Sequence, residues 1–405
     1  MTITPTSLDA ALKEIYDRET IQNVTHDEKM RPFLTNVKKD ETFEGDLLPV
    51  PIFWSDMGGR SASFTVAQGT LEATEIDQFQ IDVAENHGVA RITSKAMKKA
   101  RSNRGAFLKG VEHMIDAKLN QVANDVEGNL FRSRSGSLGA ISTTTPTTTI
   151  TLANAEDIVN FGKNQHLVFA DSTTDALRDT GTSAKVATVN RIAGSFTIDA
   201  LPTGTVASDL IFNKGDYTAA GSSTLKIAGL EDWIPSAAAS STTFFNVDRS
   251  QDTRLQGLFT TGATSDIEGS IYEAAALMGR VGKAVPDCAF MSFDNFRKLN
   301  LQMGGKAERP AGGGTAQGGY QTITVYGPKG LIQCKAAAFC QTSIVWLLTM
   351  DTWCLTSMGP CVDIFEEDGM RVQRISNAAG VEVRVESFAQ LYTNVPAANC
   401  RVTLS

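Results

Sequence analysis

RGAFLKGVEHMIDAKLNQVANDVEGNLF, residues 104–131, is the stretch around which the rest of the chain organises itself. Phe107, Leu108, Val111, Met114, Ile115, Leu119, Val122, Val126 and Leu130 recur three and four residues apart. That spacing puts them on one stripe of an amphipathic helix. At 1.5 Å per residue the helix would run about 40 Å, long enough to be the spine of a domain. His113 lies beside the stripe with no second ligand one turn on, which argues against a metal site there.

Immediately upstream the chain turns basic. Arg91, Lys95, Lys98, Lys99, Arg101, Arg104 and Lys109 occur without an intervening acid. Such a cluster is a solvated face, a surface for an acidic neighbouring subunit, or a contact to DNA phosphates. Lys95, Lys98, Lys99, Arg101 and Arg104 form the candidate inter-subunit set. Before it, residues 46–92 alternate and turn: LLPVPIFW, SDMGGR, SASFTVAQ, then FQIDVAENHGVARIT. Pro49 and Pro51 suit an edge strand, and the DMGG glycines suit a reversal, so the pattern predicts a long β-hairpin with little core of its own. An isolated two-stranded ribbon is marginal in water and needs a partner. At the front, Ser7 could cap a helix carrying Leu8, Ala11, Leu12, Ile15 and Tyr16. Residues 23–46 follow with mixed charge and no period, as expected of an extended arm lying on something else.

Downstream of the helix comes AISTTTPTTTITL, residues 140–152, and then HLVFAD, AKVATVNRIAGSFTID and DLIFNKGDYTAA. These strand-like runs, with NRIAG as a hairpin loop and Thr149–Leu152 as a first strand, predict an inserted small sandwich or barrel. Helical signals return after GLEDWIP. Ser265 and Glu268 read as a capping box before Ile267, Ile271, Ala274, Ala275 and Met278. CAFMS reads as a buried strand feeding a helix, FDNFRKLNLQM, that Gly304 and Gly305 stop. The glycine-rich residues 304–321 have neither the strand before nor the GK(S/T) and helix after that a phosphate-binding loop requires. The remainder is β again: TITVYGPKGLIQC as a hairpin, SIVWLLTM, MRVQRI, VEVRVESFAQLYT and CRVTL. Val381, Val383 and Val385 alternate with Glu382, Arg384 and Glu386, as in an antiparallel strand wetted on one face. The fold class is α+β.

Chemistry is hard to find. The 405 residues carry a net charge of −8, which disfavours condensation of nucleic acid. No apolar run approaches the roughly 20 residues of a membrane span, and the N-terminus lacks a basic-then-apolar signal, so a cytosolic, non-exported chain is expected. Cys288, Cys334, Cys340, Cys354, Cys361 and Cys400 include no CxxC pair and read as reduced thiols packed as small hydrophobes. His26, His87, His113 and His166 stand beside no nucleophile in sequence, and Glu366, Glu367 and Asp368 read as a polar turn. No catalytic, cofactor or metal residue is assigned, and a structural role is expected.

The order of parts, and the phrases LLPVPIFW...GRSASFTVAQ, FQIDVAENHGVARITSKAMKKA...GAFLKG, GDYTAA...KIAGLEDWIP, VYGPKGLIQC and PCVDIFEEDGMRVQRISNAAGVEVRVESFAQLYTNVPAA, resemble the tailed-bacteriophage major capsid proteins of the Hong Kong 97-type fold. The resemblance implies an N-terminal arm (1–45), an E-loop hairpin region (46–91), a peripheral domain with the spine helix (92–142), an inserted β-rich surface domain (143–220), a return to the peripheral domain (221–243), an axial domain (244–358) and C-terminal peripheral strands (359–405). It implies a non-enzymatic subunit that assembles into hexamers and pentamers of an icosahedral head enclosing double-stranded DNA. Implied partners are further copies of itself, a portal protein, scaffolding and decoration proteins, and nonspecific contact with packaged DNA, with no membrane and no cofactor. The expected location is the virion, after assembly in the host cytoplasm. The readings kept open beside it are an encapsulin-like nanocompartment shell and a surface glycan-binding protein acting through the β insertion.

Overall fold

The computed structural model describes residues 31–55, 57–94, 104–143, 146–174, 176–217, 225–239, 243–304, 323–328, 330–366, 373–375 and 379–405, with backbone alone at 92, 104–114 and 304. The helix expected after Ser7, the basic residues Lys95, Lys98, Lys99 and Arg101, most of the glycine-rich segment, and Glu367 and Asp368 lie outside the described residues.

The long helix is Arg104–Phe131, and its second half shows why the stripe exists: Val122, Val126 and Leu130 are buried while Gln121 and Asp125 are exposed. It packs on a sheet organised by one 14-residue strand, Gly380–Thr393. Along one edge of that strand runs Ala84–Thr93, antiparallel, from Gly380 opposite Thr93 to Ala389 opposite Ala84. Along the other lie Trp353–Ser357, Asp363–Ile364 and Gln373–Arg374, and Lys38–Asp40 adds a parallel strand outside Trp353–Ser357. Helix and sheet meet closely at Gly88, where a Cβ would stand 2.7 Å from a methyl of Val122.

This pairing corrects the ribbon's extent. Only Leu48–Phe53 and Ile76–Ile81 form the hairpin, because Ala84–Thr93 finds ten partners on the long strand instead. SASFTVAQ is not a strand either: Phe64–Gly69 is a short helix at the ribbon's far end, with its backbone groups paired locally, the Ala67 N–H on the Ser63 carbonyl at 2.9 Å and the Thr70 N–H on that of Val66 at 3.1 Å. Glu382, expected on a wetted face, is buried in an ion pair with Arg384 at 2.6 Å, with Arg91 at 3.1 Å on its other oxygen.

A second six-stranded sheet has the order Leu258–Gly262, Cys400–Leu404, Ile344–Leu348, Cys288–Met291, Leu331–Ala336, Ile323–Tyr326. The last strand therefore lies within this sheet, parallel to Leu258–Gly262, rather than among the peripheral strands expected for 359–405. The reason is burial on both faces. Val345 and Leu347 enter the core beneath the helices Ile267–Leu277 and Phe293–Gly304, while Ile344, Trp346 and Leu348 enter the larger core shared with the long helix. Cys400, Val402 and Leu404 of the last strand join the first of these cores, while Arg401 and Thr403 on its other face are half-buried. The helix expected to be capped by Ser265 is capped by Asp266, whose carboxylate accepts the Gly269 N–H at 3.0 Å.

Residues 138–213 build the inserted module. Its strands run Gly139–Ala140, Leu210–Asn213, His166–Ala170, Ala184–Asn190, Ser195–Ile198, Thr149–Thr151. The bridge Ile141–Leu152, with the Ser142 N–H on the Thr151 carbonyl at 2.9 Å, joins the first of these to the last. The sheet is thereby closed into a barrel, which removes its edges. Ile150, Phe169, Phe196 and Ile211 fill the interior. The chain then re-enters the main body through Gly229, where a Cβ would lie 2.3 Å from the carbonyls of Asn129 and Arg132 at the end of the long helix.

Candidate interaction surface

The ribbon is anchored at its root and bare at its tip. Ile52, Phe79 and Ile81 are buried in the main core, Phe79 meets Trp233 edge-on at 5.1 Å, and the Gln80 N–H donates to the Phe245 carbonyl at 2.9 Å. Arg254 holds the strand's exit by donating to the Trp54 carbonyl at 2.8 Å. Beyond that point the apolar side chains turn outward: Phe53 is 74% exposed, Phe64 80%, and Met57, Leu71 and Ile76 are exposed with them. A run of exposed large apolar groups on a two-stranded arm marks an interaction surface.

The segment before the ribbon behaves differently. Residues 31–43, expected to lie on something else, dock on the chain's own body. Phe33 is fully buried, with ring centroids 5.5 Å from Phe131, 5.4 Å from Phe290 and 6.4 Å from Trp353. Beneath it, Glu127 of the long helix accepts the N–H groups of Phe33 at 3.1 Å and Leu34 at 2.7 Å. Burial pushes this carboxyl up to about 7, against the opposing pull of those two N–H groups and of Arg31. Arg31 itself donates to Asn124 at 2.9 Å and Asn120 at 2.6 Å. Mixed charge hid the anchor in the sequence, because PFL is short and its carboxylate partner lies 93 and 94 residues away.

Between the long helix and the barrel lies a polar cleft of about 600 Å³. Arg132, on its helix side, is buried against Asp157 at 2.5 Å, and Lys226 pairs with Asp216 at 3.0 Å. The remaining ionisable groups in the lining are Lys118, Lys163, Arg191 and Asp125. The Arg191 guanidinium is held in place by the carbonyls of Ile158 and Phe161. Composition gave no sign of this cleft, since its cations are scattered from 118 to 226 and only the fold gathers them.

Of the basic set, Arg104 opens the long helix, and the other four lie outside the described residues. Burial raises the cysteine thiols, Cys288, Cys334 and Cys400 to about 12, which leaves them inert at neutral pH. Among the described residues no group of His, Cys, Asp and Glu is arranged to hold a metal, and no helix is long and apolar enough to cross a membrane.

The chain aligns from end to end with a solved structure, the cyanophage A-1(L) capsid asymmetric unit, covering 99% of each chain with a TM-score of 0.60 at 10% identity. The fold is the Hong Kong 97-type shell fold. Weaker likenesses include the capsid of a native GTA particle (TM-score 0.49, 10% identity, 100% and 99% covered) and the SrpI encapsulin complex from Synechococcus elongatus PCC 7942 (TM-score 0.46, 7% identity, 100% and 96% covered). No family model and no curated protein matches the chain by sequence. At such identities the likeness speaks for the Hong Kong 97-type fold itself, and the surfaces described above have to speak for what this chain does with it.

Proposed function

We propose that this chain is a major capsid protein that assembles, as hexamers and pentamers, into the icosahedral head of a tailed phage around its double-stranded DNA. The observation that carries the reading is the alignment over 99% of both chains with a phage capsid subunit. The bare apolar end of the ribbon supports it, since such a surface is stabilised only by being covered, and many copies covering one another close a shell from individually modest contacts. In this reading 1–45 is the arm with its final residues tied down, 143–220 lies on the outside of the shell, and Lys95, Lys98, Lys99, Arg101 and Arg104 form a further inter-subunit contact. Portal, scaffolding and decoration proteins are its partners, and the net charge of −8 keeps packaged DNA from adhering to the wall. The role is structural and calls for no catalytic group.

Expression of the full chain with its scaffolding partner, followed by sedimentation and negative-stain microscopy, tests the proposal. Closed shells of uniform size are expected. Monomers and small oligomers alone would overturn it, and shells that package a protein cargo in place of DNA would favour a nanocompartment.

A further inference from the structure

One edge of the first sheet is long and regular. Ala84–Thr93 pairs with Gly380–Thr393 at ten consecutive positions without a bulge, and no other strand among the described residues pairs with it. The opposite side of the same sheet ends differently. Asp363–Ile364 and Gln373–Arg374 have two residues each and Lys38–Asp40 has three, and all three carry charge. Shortness and charge protect a sheet edge from pairing with another chain. Ala84–Thr93 lacks that protection: it is ten residues long, has neither proline nor lysine, and its only acid and only arginine, Glu85 and Arg91, have opposite signs.

Its side chains divide cleanly between two faces. Gly88 turns toward Val122 of the long helix, whereas Glu85, His87, Val89 and Arg91 are exposed on the other side. Arg91 donates to Glu382 through Nε at 3.1 Å, and its side chain remains 66% exposed. Glu85 lies 3.4 Å from His87 and is otherwise in solvent.

We propose that this edge pairs, antiparallel and about a twofold axis at Gly88, with the same edge of a second copy. In that register His87 stands opposite Val89 of the other copy, and Glu85 opposite Arg91, twice over. Centred on His87 or Val89 instead, Glu85 faces Val89 or Thr93 and no unlike charges meet, so the charges select Gly88. The pairing gives the unpaired backbone groups of the edge a ladder, and it is isologous, each copy offering the same surface. It also joins two sheets into one, with the two long helices on the same face of the joined sheet. Its place in a shell, as a joint across twofold axes, rests on the shell reading.

Cysteine pairing tests the register in the full chain. Directly opposed positions on adjacent antiparallel strands are close enough for a disulfide. H87C/V89C, which leaves Glu85 and Arg91 in place, is expected to form interchain disulfides under mild oxidant, while H87C and V89C alone do not and so control for the native thiols. E85R turns two attractive pairs into repulsive ones and is expected to lower shell yield about tenfold. If wild-type shells form but H87C/V89C gives no interchain disulfide, or E85R assembles as well as wild type, the contact is overturned and the shell reading stands. If the wild-type chain forms no shells and H87C/V89C still yields a disulfide-linked dimer, the contact is upheld and the shell reading fails.

Discussion

The Oε2 atom of Glu127 lies 2.7 Å from the backbone nitrogen of Leu34, so a fully buried carboxylate of the long helix closes the N-terminus of the short Pro32–Asn36 helix. One side chain thereby holds the arm's final residues to the core of its own subunit.

Glu127 makes stability depend on pH in an unusual direction. Its folded-state value, about 7, stands above the ordinary 4.5, so the native state binds this proton more tightly than the unfolded chain. The resulting stabilisation is complete below the unfolded value and is lost as pH rises through the folded one. Between pH 5 and 7.5 the subunit is expected to lose about 2 kcal/mol from this group. E127Q, which cannot ionise, should flatten that part of the profile. E127A should leave both N–H groups buried without an acceptor and cost a further 1–3 kcal/mol or so at every pH. Denaturant midpoints measured from pH 5 to 8 on the three proteins check both statements.

Phe33 should behave as a core residue despite its place in the arm. Truncation to alanine removes a ring packed by Phe131, Phe290 and Trp353, and an expected loss of about 3–5 kcal/mol follows from the cavity. G229A should be at least as damaging, because its methyl group would occupy the space of carbonyl oxygens at the end of the long helix. Both are read as a lower denaturant midpoint, and a midpoint unchanged in F33A would mean that the arm is not docked.

These two positions also show where the sequence was legible and where it was not. The helix 104–131, the β insertion and the α+β class follow from periodicity, which is local. Docking of residues 31–43 depends on a carboxylate more than 90 positions away, and the destination of Cys400–Leu404 depends on a slot between two strands that begin at 258 and 344. No local pattern carries such information. The ribbon fell between these cases: its turn glycines and edge prolines marked the hairpin, yet the alternation continued unbroken into Ala84–Thr93, which belongs to another sheet. The polar cleft had no sequence signal at all.

The ribbon's tip should separate folding from assembly. Phe64 is 80% exposed and Phe53 74%, so F64S and F53S should each change the stability of the isolated subunit by less than about 0.5 kcal/mol. In assembly the same changes remove apolar surface that a neighbour would cover, and fewer or no shells are expected. Paired measurements, a denaturant titration of the monomer and sedimentation of the assembly mixture, distinguish this from a general loss of fold. Equal shell yield in both variants would show that the tip remains in solvent.

The barrel should fold without the rest of the chain. Its sheet closes on itself, its interior is filled by its own residues, and entry and exit are neighbours, with Leu138 donating to the Ile211 carbonyl at 2.8 Å. What ties it to the body is polar: the buried Arg132–Asp157 pair at 2.5 Å and the Lys226–Asp216 pair at 3.0 Å. Cutting the module free strands Asp157 without its cation, a cost of the kind that accompanies any half-removed buried pair. Residues 138–217 carrying D157N should therefore give a β-type circular dichroism spectrum and one cooperative thermal transition, more stable than the same fragment with Asp157 retained. In the full chain D157N has the opposite consequence, leaving Arg132 buried and unpaired, and should lower stability by about 3–5 kcal/mol. A fragment that stays unfolded with either residue would mean that the closed sheet depends on the long helix, and that the insertion is a lobe of the main body instead of a separate module.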